Sequence, residues 1–168
     1  HGDTINLDYT LRLLGKRLDL VIHLGDGARD LDRLAADVLS GVPRLVVKGN
    51  TDSDARLPPS RVTEIGDRRL YISHGHAALA SGSLLPLVLA ARAAGASACL
   101  YGHTHIPHRA ISDAILILNP GSLSRPRAGW NPTFAVLTFP RDGTDPIEAA
   151  HYEIRSSGAH PSIRAVYP

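Results

Sequence analysis

Four short apolar runs in this chain stop in the same way, and this recurrence limits its architecture more than any other feature. "LDLVIHLGD" ends at Asp26, "RLVVKGNTD" at Asn50 and Asp52, "RRLYISHGH" at His74 and His76, and "SACLYGHTH" at His103 and His105. Each run is short, apolar and closed by glycine or a polar residue, which reads as a strand opening into a loop. Loops at the carboxyl ends of strands gather on one edge of an α/β sheet. Glycines beside the polar groups allow close approach of backbone. Taken singly, each group has an ordinary reading: an aspartate after a strand caps a turn, a lone histidine is satisfied locally, and Gly-Asn is a turn. Four such ends in one short chain point instead to a shared site.

The segments between these runs alternate with them. Leu7, Leu11, Leu14 and Leu18 follow helical spacing, with Asp3 as N-cap. Ala28 to Leu39 reads as a helix with Leu31, Leu34 and Val38 on one face, closed by Gly41. Ser83 to Ala94 reads as another, ended by Gly95. "SRVTEIGDRRLYISHG" is a hairpin pivoting at Gly66-Asp67. Beyond the histidine pair the period becomes two. "HRAISDAILILNPG" is a hairpin around Ser112-Asp113, and "TFAVLTF" pairs with "IEAAHYEI" across the turn "RDGTD". The tail from Ser156 is expected to be peripheral. A β-α-β first half and a meandering second half predict layers of helix over sheet, in one domain spanning residues 1–168.

Composition excludes several classes. Net charge is only +2 and the basic residues do not cluster, so no specific nucleic-acid binding is expected. The most apolar segment, Leu84 to Leu100, contains Pro86, Arg92 and Gly95 and falls short of a membrane span. The single Cys99 lies in an apolar run and cannot form an internal disulfide. That suits a reducing compartment, and a cytoplasmic location is expected.

The donor set suggests metal chemistry. In an extended "HTH" segment His103 and His105 lie on one side, about 6–7 Å apart, whereas a loop directs them at different atoms. Carboxylate, imidazole and amide oxygen without thiolate suit Mn²⁺, Fe, Zn²⁺ or Ni²⁺ and argue against a structural cysteine-zinc site.

The ordered set "HG…GD…GNTD…SHGH…YGHTH…NPGS" resembles the calcineurin-like metallophosphoesterases, and most of all their small single-domain bacterial and archaeal phosphodiesterase branch. The likeness covers about residues 1 to 140. It implies an α/β, metallophosphoesterase-type sandwich of two mixed β-sheets flanked by helices. It also implies a phosphodiesterase whose nucleophile is a hydroxide bridging two divalent ions, Mn²⁺ first, with Zn²⁺, Ni²⁺ or Fe as alternatives. By the family pattern His1, Asp26 and His105 would bind one ion. Asp26 would bridge to the second, completed by Asn50, His74 and His103. His76, with Asn50, is the candidate catalytic group, because Thr51 stands where many relatives carry an acid histidine. Arg125 and Arg127, after "NPGS", are candidates for the substrate phosphate. His23 is expected to be structural, His151 and His160 to lie at the surface.

In the family an apolar strand and an aspartate precede the first motif. With the cost of an exposed strand edge, this leads to the expectation of roughly ten further residues upstream of His1. The expected partner is a small phosphate ester, and a homodimer follows from the prevalence of two-fold assemblies. Two other readings stand beside the enzyme. One is a non-catalytic scaffold, like the eukaryotic retromer subunit that resembles this family. The other is a metal-sensing domain without turnover.

Overall fold

The computed structural model describes residues 1–140, 145–157 and 160–167. In chain order its elements are α1 (Ile5–Leu14), β1 (Val21–His23), β2 (Arg44–Val46), β3 (Ser60–Ile65), β4 (Arg68–Ser73), α2 (Leu85–Ala93), β5 (Ala98–Tyr101), β6 (Pro107–Ser112), β7 (Ile115–Pro120), β8 (Thr133–Thr138), β9 (Glu148–Ser157) and β10 (His160–Tyr167). Five strands form a mixed sheet in the order β3-β4-β5-β7-β6. Within it β4, β5 and β7 run parallel, and the hairpins β3-β4 and β6-β7 close its two sides.

Alternate residues of β5 face opposite layers, as the two-residue period of a strand requires. Cys99 and Tyr101 join Leu87, Val88 and Ala91 of α2, with Ile115 and Ile117 of β7. Ala98 and Leu100 join Leu70, Ile72, Leu116 and Leu118, and meet Val47, Ile147 and Ala149 from the facing layer. A strand covered on both sides needs apolar residues throughout, which is why this stretch reads as a continuous hydrophobic run. The facing layer holds the parallel pair β1-β2 and the antiparallel set β10-β9-β8. Ile22, Leu24, Leu45, Ala135 and Leu137 carry its inner face. The result is the expected sandwich with flanking helices.

Among the described residues, β1 pairs only with β2 and β8 only with β9, which leaves one edge of each unpaired. Between them run cavities lined by Val21, Ile22 and Leu24 on one side and Phe134, Ala135 and Leu137 on the other, the larger about 400 Å³. Among the described residues no helix is long and apolar enough to cross a membrane.

Three expectations are corrected. The helix over 28–39 is a single 3₁₀ segment, Ala28–Arg33, after which Leu34 turns extended. Leu34 and Val38 are only half-buried, so the apolar stripe lacks the packing that stabilises a short helix. α1 ends at Leu14, and Leu18 follows it as extended chain. The tail from Ser156 carries an edge strand: β10 pairs along β9 from His160↔Ser157 to Tyr167↔His151. Backbone pairing to an available edge overrides a composition poor in strand formers. The β6-β7 turn lies one residue later than expected, at Asp113-Ala114, both at positive φ as a two-residue hairpin requires. Most of the expected turn "RDGTD" lies outside the described residues.

Candidate metal centre

The carboxyl ends of β1, β2, β4 and β5 meet where the two layers touch. His74, just past β4, donates its Nδ1–H to the Leu24 carbonyl at 2.6 Å. Its own carbonyl accepts from Gly102 N–H at 3.1 Å. The loop after β1 lies against the loop after β2. A Cβ on Gly25 would come within 2.5 Å of the Gly49 nitrogen, so only glycine permits this approach. The candidate ligand residues form two groups that share one carboxylate. His1, Asp26 and His105 are one, and Asp26, His74 and His103 the other.

The tautomers make these groups electron-pair donors. A carbonyl only accepts, so the bonds from His74 to Leu24 O and from His105 Nδ1 to Arg125 O (2.8 Å) place the proton on Nδ1. Both Nε2 atoms are then bare. His74 Nε2 lies 3.3 Å from Asp26 Oδ2 and 3.0 Å from Asn50 Oδ1. His103 Nδ1 lies 3.0 Å from the same Asn50 oxygen. His105 Nε2 faces His1 Nε2 at 3.0 Å, and His1 Nε2 is 4.0 Å from Asp26 Oδ2. Burial, the largest influence, keeps His74 and His105 below the ordinary histidine value, against the pull of Asp26 and of the carbonyls they bond. A bare imidazole nitrogen and a carboxylate oxygen 3.3 Å apart repel unless something positive lies between them. This N/O donor set fits divalent cations.

Asp26 is prepared for sharing. Its Oδ1 accepts from both the backbone N–H and the hydroxyl of Thr51, each at 2.9 Å, leaving Oδ2 toward the histidines. Burial opposes its ionisation, but the Thr51 amide and hydroxyl hold it below the usual carboxylate range. Three of the six non-glycine residues at positive φ among those described are Asp26, His103 and His105. Strained backbone gathered at the candidate ligands is a mark of a functional site.

Asp52 is not among the converging ligands. Its carboxylate accepts four backbone N–H groups, from Asp26 (2.8 Å), Gly27 (2.8 Å), Ala28 (3.0 Å) and Gly49 (2.8 Å), and so ties the two loops together. Burial raises its pKa, but these four bonds prevail and the net shift is downward. Asp30 holds the other side, accepting from Gly2 N–H at 3.0 Å. His76 stands beside the centre, its ring 5.5 Å from that of His74 and 6.2 Å from that of His103. Its Nδ1 is buried with no hydrogen-bond partner among the described residues. Arg125 and Arg127 line a cavity of about 270 Å³ with His1, Asp26, Asn50 and His103. His151 is not at the surface but fully buried, bonded to the Asn119 carbonyl at 2.7 Å.

Five imidazoles, His23, His74, His105, His108 and His151, lie below the ordinary histidine value, in each case chiefly through burial. A depressed folded-state pKa means fewer protons bound in the folded than in the unfolded chain. Their contribution to stability is therefore complete above the unfolded value of about 6.5 and is lost as pH falls below it. Asp26 and Asp52, with lowered pKa values, lose theirs only below about pH 4. In EDTA, the urea midpoint is expected to fall between about pH 7.5 and pH 5.5. A constant midpoint would contradict the buried, neutral state of these rings.

Fold and site together define a protein that gathers two groups of candidate metal ligands on the edge of a β-sandwich. Residues 1–142 match the calcineurin-like phosphoesterase superfamily domain, and the chain belongs to that family. The family is metal-dependent. The chain is 31% identical over 145 residues to the probable metallophosphoesterase YsnB of Bacillus subtilis, covering 84% of this chain and 83% of that protein. A conserved, uncharacterized predicted phosphoesterase of Streptococcus pneumoniae TIGR4 superposes with a TM-score of 0.67 at 26% identity, covering 99% of this chain and 92% of that one. Vps29 of Entamoeba histolytica, solved in complex with zinc, superposes with a TM-score of 0.71 at 24% identity, over 98% of this chain and 89% of its own, a likeness of fold alone.

Proposed function

We propose that this chain is a metal-dependent phosphodiesterase acting on small phosphate esters. The carrying observation is the approach of the bare His74 Nε2 to Asp26 Oδ2 at 3.3 Å, within a cluster where Asp26 belongs to both ligand groups. His1, Asp26 and His105 would hold one divalent cation, and Asp26, Asn50, His74 and His103 a second, with Mn²⁺ first among the ions this set accepts. When bound, the pair supplies Lewis acidity, which activates water and neutralises phosphoryl charge. The protein's own groups do the rest. Arg125 and Arg127, on the cavity wall, bind the ester phosphate. His76, packed beside His74, holds a proton for the leaving oxygen, a task Thr51 cannot perform because its hydroxyl is committed to Asp26. The slot between the unpaired edges of β1 and β8 would seat an extended segment preceding His1, adding an aspartate beside that histidine.

The test is release of nitrophenol from bis(p-nitrophenyl) phosphate, with and without Mn²⁺. Turnover is expected only with the metal. It is expected to be faster at limiting Mn²⁺ in a chain extended upstream than in residues 1–168, and equal rates would remove the upstream segment from the account. Absence of metal-dependent turnover in the extended chain would favour a scaffold that works by binding other proteins.

A further inference from the structure

We infer, on the metal centre proposed above, that Asn119 is a positioning residue for both cation sites at once. It is fully buried at the carboxyl end of β7 and makes no hydrogen bond to a candidate ligand side chain. Its Nδ2 spends both protons on the turn between β5 and β6, donating to the Gly102 carbonyl at 2.7 Å and to Thr104 Oγ1 at 3.0 Å. Its Oδ1 accepts from Gly121 N–H at 2.9 Å. Its backbone carbonyl accepts from His151 Nε2–H, contributed by β9 in the facing layer. A polar chain thus crosses the sandwich, from His151 through Asn119 to the loop that carries His103 and His105.

That loop needs holding. His103 and His105 sit at φ 68° and 61°, and Thr104 N–H closes a tight turn onto Gly102 O at 2.8 Å. Non-glycine residues keep such backbone only where their surroundings over-determine it. Asparagine suits the position on chemical grounds. One nitrogen must give two protons while the oxygen beside it accepts one, which neither aspartate nor serine can do. His105 belongs to one ligand group and His103 to the other. Loosening their turn therefore disturbs both sites together, whereas removing either histidine disturbs its own.

The test titrates Mn²⁺ into metal-free protein by calorimetry and records the EPR signal of the coupled Mn²⁺ pair. Circular dichroism and thermal unfolding in EDTA establish that each variant is folded. Asn119→Ala is expected to weaken both sites by roughly 10–100-fold and to abolish the coupled signal, the usual cost of losing a partner that orients ligands. Thr104→Val removes one acceptor at a partly exposed position and is expected to weaken both sites by a smaller factor, while Thr104→Ser keeps wild-type affinity. If Asn119→Ala does not fold, Thr104→Val against Thr104→Ser decides. A lowered unfolding temperature with unchanged affinities and an intact coupled signal would make Asn119 merely structural and overturn the inference. A wild-type chain that binds no Mn²⁺ pair would overturn the metal centre itself and the inference with it.

Discussion

Asp26→Asn is expected to abolish binding of the cation pair and to lower metal-dependent phosphodiester hydrolysis by about 10³-fold or more, the scale on which electrostatic stabilisation at a metal site operates. The substitution keeps side-chain size and one oxygen for the two Thr51 donors. It removes the charge at Oδ2, the atom lying 3.3 Å from His74 Nε2 and 4.0 Å from His1 Nε2. Both ligand groups lose their common member in one step. Metal-free stability should move by less than about 1 kcal/mol, because the carboxylate faces other acceptors in the absence of cations. Calorimetric titration with Mn²⁺ and urea unfolding in EDTA check the two halves. Retained binding of two cations, or a large loss of metal-free stability, would assign Asp26 to the framework.

Asp52→Ala is expected to do the reverse first. Its carboxylate serves four N–H groups belonging to Asp26, Gly27, Ala28 and Gly49. Charge-assisted bonds of this kind contribute about 1.5–3 kcal/mol each, but they share one acceptor and do not add. Asp52 is also only half-buried, so water takes up part of the loss. A total of about 3–5 kcal/mol is expected, read from urea unfolding of the metal-free protein. The Asp26 loop loses its tether as well, so Mn²⁺ affinity should fall with stability. A loss below about 1 kcal/mol would show that the loops after β1 and β2 are held by packing alone.

The contrast between these two aspartates explains what could be read in the chain. Both follow a strand and a glycine, and the residues alone offer both to a cation, while the family pattern claims only Asp26. The role of Asp52 appears only in the fold, because the four amides that claim it come from two loops 21 or more residues apart in sequence (Gly27 and Ala28 against Gly49). The converging strand ends were legible because their signals are local: an apolar run, a glycine, a donor. The same holds for β5, whose continuous apolar run announces burial on both faces. Asn119 reads only as part of the "NPGS" motif, since nothing local marks the carbonyl and hydroxyl it reaches in the loop after β5. His151 looked like a surface residue, because its partner is a backbone carbonyl 32 positions away. β10 was hidden for a related reason: its strand character comes from the edge of β9, not from its own composition. The short 3₁₀ segment at Ala28–Arg33 shows the opposite error, a good helical stripe that the fold does not bury.

The most direct measurement is anomalous scattering, at the manganese edge, from crystals soaked in Mn²⁺. Two peaks about 3.5–4 Å apart are predicted, both touching Asp26, one also bounded by His1 and His105 and the other by Asn50, His74 and His103. No peak at this cluster, or a single one that Asp26 does not touch, would contradict the account.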